Sequence, residues 1–261
     1  MKEPRAICAD PAGNVYVADT GNQRILKFNS YGEVIAQIGG FGWGKERFDG
    51  PVSVWAQNGL DVLVADMNNQ RVVRCDKDLH YLSELEPDDS WTDDLRFGFP
   101  LDACLSLQSE LFCLDGENRR ILKLDAMGRP QVVFGGFDAG DGQLGKPSRI
   151  CITRSNRLLV ADEESPAIKT FDMHGNFLFS FGSGSLEKPS GLCEVDADWL
   201  LVADVTLKRI VVFRAFLPTD RPLFAGPVFS EPIDAAFWRN TVFILDKERA
   251  SIDLFEWTFR P

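Results

Sequence analysis

Six aspartates recur along the chain, each at the end of a short apolar segment. They are Asp19, Asp66, Asp115, Asp162, Asp204 and Asp246. A ring of carboxylates suggests a calcium site, because hard cations need several oxygen ligands at once. An Asp at a strand end also accepts hydrogen bonds from backbone N–H groups of the turn, and the arginines that follow, such as Arg24 and Arg71, are expected to bridge to a neighbouring loop. Because these positions are equivalent in every repeat, we favour the structural role and predict no metal site.

A second set of polar residues stands where the repeat is irregular. Two positions after a recurring proline, the residues are Ala6, Ser53, Asp102, Arg149, Gly191 and Asp234. If the repeats are arranged around a central channel, three of these residues, Asp102, Arg149 and Asp234, would place charges together at its mouth. We predict that they form a mutually satisfied polar plug, and contact with a ligand or partner is the alternative. These three residues are called the channel triad below.

The six cysteines match neither a disulfide framework nor a zinc site. Four of them, Cys8, Cys104, Cys151 and Cys193, occupy one repeat position, and no Cys-x-x-Cys pair occurs. Equivalent positions in different repeats indicate small buried side chains rather than disulfide partners. Free thiols favour a reducing compartment or an anaerobic periplasm.

Catalytic groups are scarce. The chain contains two histidines, His80 and His174, and both fall in predicted turns. Neither a Gly-x-Ser-x-Gly nucleophile elbow nor a phosphate-binding loop occurs. The sequence therefore predicts a protein that is not an enzyme and has no cofactor.

Aromatic side chains are concentrated in three long segments between repeats, of which residues 217–232 contain Phe224 and Phe229. The other two also contain charged residues. The first contains Phe41, Trp43 and Phe48. The second, residues 84–100, is called the acidic linker and contains Asp88, Asp89, Trp91, Asp93, Asp94 and Phe97. Tryptophan anchors beside carboxylates suit a cationic protein partner, whereas stacking on RNA bases is usually combined with basic neighbours. The alternative is that the aromatics fill gaps between elements and the carboxylates form solvated surface.

Composition restricts the class of protein. The chain has 261 residues, of which 44% are hydrophobic and 26% charged, so it is able to bury a large core. Its net charge of −11 argues against a nucleic-acid surface and against docking on anionic lipid. Since no apolar run reaches about 18 residues, we expect no transmembrane helix. The start of the chain has no apolar segment typical of a secretory signal.

The aspartates belong to a repeat that runs through the whole chain. A proline precedes each of them: Pro4, Pro51, Pro100, Pro147, Pro189 and Pro232. An apolar residue follows each of them: Phe28, Cys75, Leu124, Phe171, Phe213 and Phe255. Each repeat reads as four short strands, a to d, separated by turns. Repeats of this length with four antiparallel strands are typical of propeller blades.

The predicted fold is therefore all-β, a six-bladed β-propeller of four-stranded antiparallel blades in a single domain, residues 1–261. The blades start near residues 4, 51, 100, 147, 189 and 232. The d–a linkers and b–c loops then share one face, called the top face. Blade 6 lacks its outer strand d within this chain. We expect the exposed edge to be covered, either by a segment upstream or by a partner strand.

The repeat resembles the NHL family. The resemblance rests on residues 16–25 (Tyr-Val-Ala-Asp-Thr-Gly-Asn-Gln-Arg-Ile), on residues 64–72 and 114–121, and on the Gly-Gly-Phe linkers at 39–41 and 135–137. Blades 4 and 6 depart from it in their b–c loops. The resemblance implies a six-bladed propeller. Amidating-lyase relatives need several histidines for zinc and lactonase-type propellers need a Glu, Asn and Asp set around calcium, and we find neither set.

These observations predict a non-catalytic binding module or scaffold, a subunit of a larger assembly that contacts protein partners through top-face loops. A metal-dependent propeller enzyme of lyase or lactonase type is the first alternative, and an RNA-binding NHL propeller is the second. We expect no nucleic-acid partner and no membrane insertion. The compartment stays open, with an extracytoplasmic location, and a leader absent from this chain, preferred over the cytoplasm.

Overall fold

The second strand of each repeat is apolar at almost every position, and this pattern produces the core. Val17, Val64, Val160 and Val202 lie in the middle of these strands and have no exposed surface. A strand that is buried on both faces must pack between two other sheets. The blades therefore stack side by side, and the core consists of the layers between them.

The computed structural model describes residues 1–196, 199–214, 222–225 and 227–258. Blade 1 contains β1 (Ala6–Ala9), β2 (Val15–Asp19), β3 (Arg24–Phe28) and β4 (Val34–Gly39). Blade 2 contains β5 (Pro51–Trp55), β6 (Asp61–Asp66), β7 (Arg71–Asp76) and β8 (Tyr81–Leu85). Blade 3 contains β9 (Pro100–Leu105), β10 (Leu111–Asp115), β11 (Arg120–Leu124) and β12 (Pro130–Phe134).

The second half of the chain repeats this arrangement. Blade 4 contains β13 (Pro147–Ile152), β14 (Leu158–Asp162), β15 (Ala167–Phe171) and β16 (Phe177–Phe181). Blade 5 contains β17 (Pro189–Val195), β18 (Trp199–Asp204), β19 (Arg209–Arg214) and β20 (Leu223–Ala225). Blade 6 contains β21 (Pro232–Trp238), β22 (Thr241–Asp246) and β23 (Ser251–Glu256). Short 3₁₀ turns occur at Thr20–Asn22, Asp93–Leu95 and Gly140–Gly142.

The strand order confirms the predicted propeller. Within each blade the strands pair antiparallel in chain order, so that blade 1 reads β1-β2-β3-β4. In the part of the chain that the structure describes, five sheets have four strands and blade 6 has three. The innermost strands pack against one another around the axis, and β21 contacts β1, which closes the ring. That another segment covers the outer edge of β23 stays a prediction.

A β-bulge follows the proline that opens each of blades 2 to 6. In blade 4 the pairing shifts between Pro147 and Arg149, and in blade 6 it shifts between Pro232 and Asp234. Proline cannot donate to the ladder, and bulges reorient side chains at strand ends. The irregular polar position of the repeat therefore follows directly after a bulge in five of the six blades.

No helix in the described ranges is long and apolar enough to cross a membrane.

Candidate functional site

The top face is formed by two sets of loops that hydrogen-bond to each other. The backbone N–H of Met67, in a b–c loop, donates to the carbonyl of Gly50, in a d–a linker, at 3.0 Å. The equivalent bond joins Glu163 to Lys146 at 2.9 Å in blade 4. The linkers and the b–c loops therefore share one face, as expected from the sequence.

The recurring aspartates hold these two sets of loops together. The carboxylate of Asp66 accepts hydrogen bonds from the backbone N–H of Asp49 at 2.8 Å, from Asn69 Nδ2 at 2.7 Å and from Arg71 Nε at 2.9 Å. Asp162 likewise accepts the backbone N–H groups of Gly145 and Lys146. Among the described residues, no three His, Cys, Asp or Glu side chains are placed so that they could hold a metal ion. The aspartates therefore have a structural role and connect the d–a linkers to the b–c loops.

Arg71 fixes the linker between blades 1 and 2. Its buried guanidinium donates to three backbone carbonyls of that linker, those of Trp43, Gly44 and Arg47, at 3.3, 3.0 and 2.7 Å. It also forms an ion pair with Glu84 at 2.6 Å. Arg71 is thus the bridge between loops that the sequence predicted, and the linker is held in a defined conformation.

This linker presents two aromatic side chains to solvent. Phe41 is 69% exposed and Trp43 is 76% exposed. Residues 40–48 are therefore called the Trp43 loop. Phe48, which the sequence placed in the same contact surface, has no exposed area and packs in the core between blades 1 and 2. The prediction that Phe48 contacts a partner is wrong on this structure, because its side chain fills the space between the blades.

The acidic linker also contains both exposed and buried residues. Asp88, Asp89, Asp93 and Asp94 are exposed. Trp91 is half-buried, with its ring 6.5 Å from the ring of Phe97, and Phe97 is almost fully buried in the core between blades 2 and 3. Phe97 is therefore a packing residue and not the partner contact that the sequence suggested. Its burial holds the charged part of the linker on the surface.

A cleft of about 560 Å³ separates the acidic linker from the b–c loops of blades 2 and 3. Its walls include the carboxylates of Glu86, Asp93 and Glu117, with Arg96 as the basic residue among them. It is called the acidic cleft. Asn69 joins it to the Trp43 loop, since Asn69 also lines the cleft and its Nδ2 donates to the carbonyl of Gly42 at 3.0 Å.

Sequence reasoning missed the contribution of Glu86 and Glu117 to this cleft. Glu86 stands within the acidic linker, two residues before Asp88, and nothing in the sequence distinguishes it from the neighbouring carboxylates. Glu117 stands in an ordinary b–c loop, at a position where the repeat is variable. The signal that could have identified Glu117 is topological, since b–c loops and the preceding linkers share the top face.

The channel triad is buried and forms an ion-pair cluster. It differs from the mutually satisfied plug that the sequence predicted, because Arg149 Nε has no hydrogen-bond partner among the described residues. Arg149 Nη2 lies 3.3 Å from Asp234 Oδ2, and Nη1 lies 3.7 Å from Asp102 Oδ1. Each carboxylate also accepts two backbone N–H bonds, those of Ile150 and Ala103 for Asp102 and those of Ile7 and Ala235 for Asp234. Ser53 adds a hydroxyl donor to Asp102. The three side chains come from three different blades.

Burial controls the protonation of the triad. Removal from water raises the pKa of Asp234 to about 6, and the positive charge of Arg149 opposes this shift. Burial also raises the pKa of Asp102. One guanidinium between two buried carboxylates leaves an excess negative charge, and a higher carboxyl pKa is the expected response. Gly191 provides the necessary space, because a Cβ there would lie 2.5 Å from the Cα of Asp234.

The cysteines and histidines take no part in these sites. All six thiols are buried and free, and burial raises the pKa of Cys8 and of Cys151 to about 12. Such thiols stay protonated and react slowly. His80 is exposed in the c–d turn of blade 2, where Asp76 accepts from it at 2.9 Å and raises its pKa.

Comparison with known proteins agrees with this geometry. The profile of the NHL repeat matches residues 1–28. Protein lin-41 of Caenorhabditis elegans is 39% identical over 49 residues, which cover 19% of this chain and 4% of that protein. Protein brain tumor of Drosophila melanogaster is 28% identical over 88 residues, 33% of this chain and 8% of that protein. The chain thus matches only a small part of the length of these relatives.

Solved structures share the architecture. A gluconolactonase from Xanthomonas campestris aligns with a TM-score of 0.69 at 14% identity, covering 93% of this chain and 82% of that one. The β-propeller domain of Cps50 (Swd1) from Myceliophteria thermophila aligns with a TM-score of 0.67 at 12% identity, covering 98% and 83%. At such identities the likeness concerns the fold alone. The NHL repeat match and the six blades together fit an NHL-repeat β-propeller family, as the sequence predicted.

Proposed function

We propose that this propeller is a non-catalytic binding module that holds a cationic segment of a protein partner on its top face, and that it works as a subunit of a larger assembly. The single observation that supports this most is the Trp43 loop. An indole that is 76% exposed on a backbone held by the buried Arg71 is costly to keep in water. A rigid exposed aromatic loses little conformational entropy on binding, and residues of this type are frequent hot spots.

The negative charge of the acidic cleft and the acidic linker favours a cationic partner. The acidic cleft lies beside the Trp43 loop and contains three carboxylates against one guanidinium. The exposed Asp88, Asp89 and Asp94 extend the negative surface outward along the acidic linker. Complementary charge mainly raises the association rate and excludes anionic partners. A lysine- or arginine-rich segment with an apolar residue for Trp43 fits these requirements.

The first test measures binding of peptides by fluorescence anisotropy. The probes are 12-residue peptides that contain between zero and six lysines or arginines at constant apolar content. We expect affinity to rise with basic residues, and Trp43→Ala to weaken the best peptide by about 2 kcal/mol, roughly thirtyfold. Replacing Asp88, Asp89, Asp93 and Asp94 with Asn should slow association and flatten its dependence on salt.

Phe137→Ala is the matched control. Phe137 follows a Gly-Gly pair as Phe41 does and is 85% exposed, but it stands in the linker between blades 3 and 4, whereas the Trp43 loop is hydrogen-bonded to Asn69 of the acidic cleft. Equal losses for Trp43→Ala and Phe137→Ala would contradict the proposal. Preferential binding of a uridine-rich single-stranded RNA would favour the RNA-binding alternative instead.

The enzyme alternative has a separate test. Lyase- and lactonase-type propellers would need a stoichiometric metal ion on the axis. Elemental analysis of the purified protein that finds about one tightly held divalent ion per chain would contradict a non-catalytic role. Both carboxylates of the channel triad are already engaged by Arg149 and by backbone N–H groups, which does not favour their use as metal ligands.

A further inference from the structure

A second cavity opens at the centre of the top face, directly above the channel triad. Its volume is about 660 Å³, within the usual range for a small-molecule site. Arg149 lines it from below, and the b–c loops and linkers line its sides. It is called the axial cavity. Its lining differs from that of the acidic cleft in sign of charge and in apolar content.

Positive charge is concentrated in the axial cavity of a protein whose net charge is −11. Six basic residues line it: Arg5, Arg119, Lys146, Arg149, Lys188 and Lys247. The acidic residues of the lining are Glu163 and Glu231, and each already forms an ion pair, with Lys146 at 2.8 Å and with Lys247 at 2.9 Å. Arg149 is paired with Asp102 and Asp234 and Arg119 with Glu164, which leaves Arg5 and Lys188 without an ion pair in the described ranges.

Two of these groups are available for a ligand. Within the described ranges, Lys188 forms no ion pair, although its side chain is partly buried at the cavity wall. Arg5 is exposed at the cavity and also forms no ion pair in these ranges, whereas Arg149 is already held by Asp102, by Asp234 and by the carbonyl of Arg5. A cation that is partly removed from water without a counter-charge is costly, and an anionic ligand would supply that charge. An acceptor that bears negative charge would satisfy both groups.

Apolar side chains also line the axial cavity. They are Val52, Met67, Phe99 and Leu101 from blades 2 and 3, and Val205 and Ile233 from blades 5 and 6. A simple inorganic anion would leave these apolar side chains without a partner. An amphipathic ligand would contact both the charged and the apolar residues.

We propose that the axial cavity binds an organic anion, a carboxylate attached to an apolar body. The carboxylate faces Lys188 and Arg5, and the apolar body packs against Met67 and Leu101. This chemistry has two sources, a free aliphatic or aromatic acid and the carboxyl end of a peptide with an apolar last residue. The site is independent of the acidic cleft, which selects the opposite charge.

The test uses isothermal titration of the full chain with four probes. They are 4-phenylbutyrate, its neutral amide 4-phenylbutyramide, acetate, and a tetrapeptide that ends in a free phenylalanine carboxylate. We expect 4-phenylbutyrate or the tetrapeptide to bind at least about tenfold more tightly than the amide and acetate, since each of these lacks one of the two contacts. A preference for the tetrapeptide identifies the source as a protein terminus, and a preference for 4-phenylbutyrate identifies a free acid.

Lys188→Gln is the decisive variant, because Lys188 has no carboxylate that its removal would leave unpaired. We expect about five- to tenfold weaker binding of the preferred acid. Lys208→Gln is the control, since Lys208 is exposed in the b–c loop of the same blade and lies outside the cavity lining. Equal affinities of the two variants, equal binding of acid and amide, or no binding of any probe would overturn the proposal. Urea unfolding of both variants checks that each is folded.

Discussion

The floor of the axial cavity and the outer edge of the acidic linker contain the same residue type in opposite states. Asp102 and Asp234 are buried at the floor, beside Arg149, whereas Asp88 and Asp93 are exposed at the edge. Burial raises the pKa of Asp234 to about 6, whereas hydrogen bonds from Ser90 lower the pKa of Asp88. The ionisation of a carboxylate at the floor therefore changes the free energy of folding, whereas a carboxylate at the edge stays ionised and is available to a partner.

This contrast also explains why net charge is a poor guide to local surface. The chain is strongly acidic, yet many of its carboxylates are exposed at the periphery. Others, such as Asp66 and Asp162, are buried where they connect the loops of the top face. Two basic residues without an ion pair in the described ranges, Arg5 and Lys188, nevertheless line the axial cavity. Two regions of one face thus suit ligands of opposite charge.

The largest expected effect is the removal of the buried cation. Arg149→Met leaves Asp102 and Asp234 in a dry environment without a counter-charge, which should lower the free energy of unfolding by about 3–5 kcal/mol. Urea unfolding at pH 7 measures this. Arg119→Met is the control, because Arg119 forms an exposed pair with Glu164 at 3.5 Å and should cost at most about 0.5 kcal/mol. If both variants lost a similar amount of unfolding free energy, the buried cation would contribute no more to stability than the exposed one.

The second effect is a dependence of stability on pH. The pKa of Asp234 is about 6 in the folded protein against a reference of 3.8. The folded state therefore binds the proton more tightly, and the stability from this group is present below about pH 4 and lost as pH rises through 6. The groups that face Asp234 are Arg149, Asp102 and Cys8.

Asp234→Asn tests this pH dependence, because an amide does not titrate. Between pH 4 and pH 7 its free energy of unfolding should rise relative to that of the wild type by about 2 kcal/mol. Asp88→Asn should show the opposite sign, because Asp88 has a lowered pKa and stabilises the fold when ionised. Parallel pH profiles for Asp234→Asn and the wild type would show that the carboxylate at the floor titrates like an exposed one.

The third effect separates two arginines at the same repeat position. Arg71 bonds three linker carbonyls, whereas Arg24 bonds Asp19 and the exposed Gln37. Arg71→Met should cost about 2 kcal/mol and Arg24→Met less than about 1 kcal/mol. Chymotrypsin should also cleave after Trp43 faster in Arg71→Met. Unchanged cleavage would mean that the Trp43 loop keeps its conformation without the guanidinium.

The spacing of prolines and aspartates was sufficient to predict the propeller, its six blades and the three strands of blade 6. Such a repeat is readable because each blade is a local unit of about 45 residues that pairs mainly with itself. The channel triad could be predicted for a related reason. Once equivalent positions are aligned, Asp102, Arg149 and Asp234 occupy one place around the axis.

Only the tertiary structure separated the aromatic residues by role. Phe41 and Phe48 stand in one linker, and Trp91 and Phe97 stand in another, with nothing in residue type to distinguish core from surface. The direction of a side chain in an irregular loop depends on which neighbouring blade it meets. Likewise Lys188 and Glu117 belong to different cavities because ring closure brings together loops that are distant in sequence. Local pattern therefore determined the blades, and packing between blades decided the surfaces.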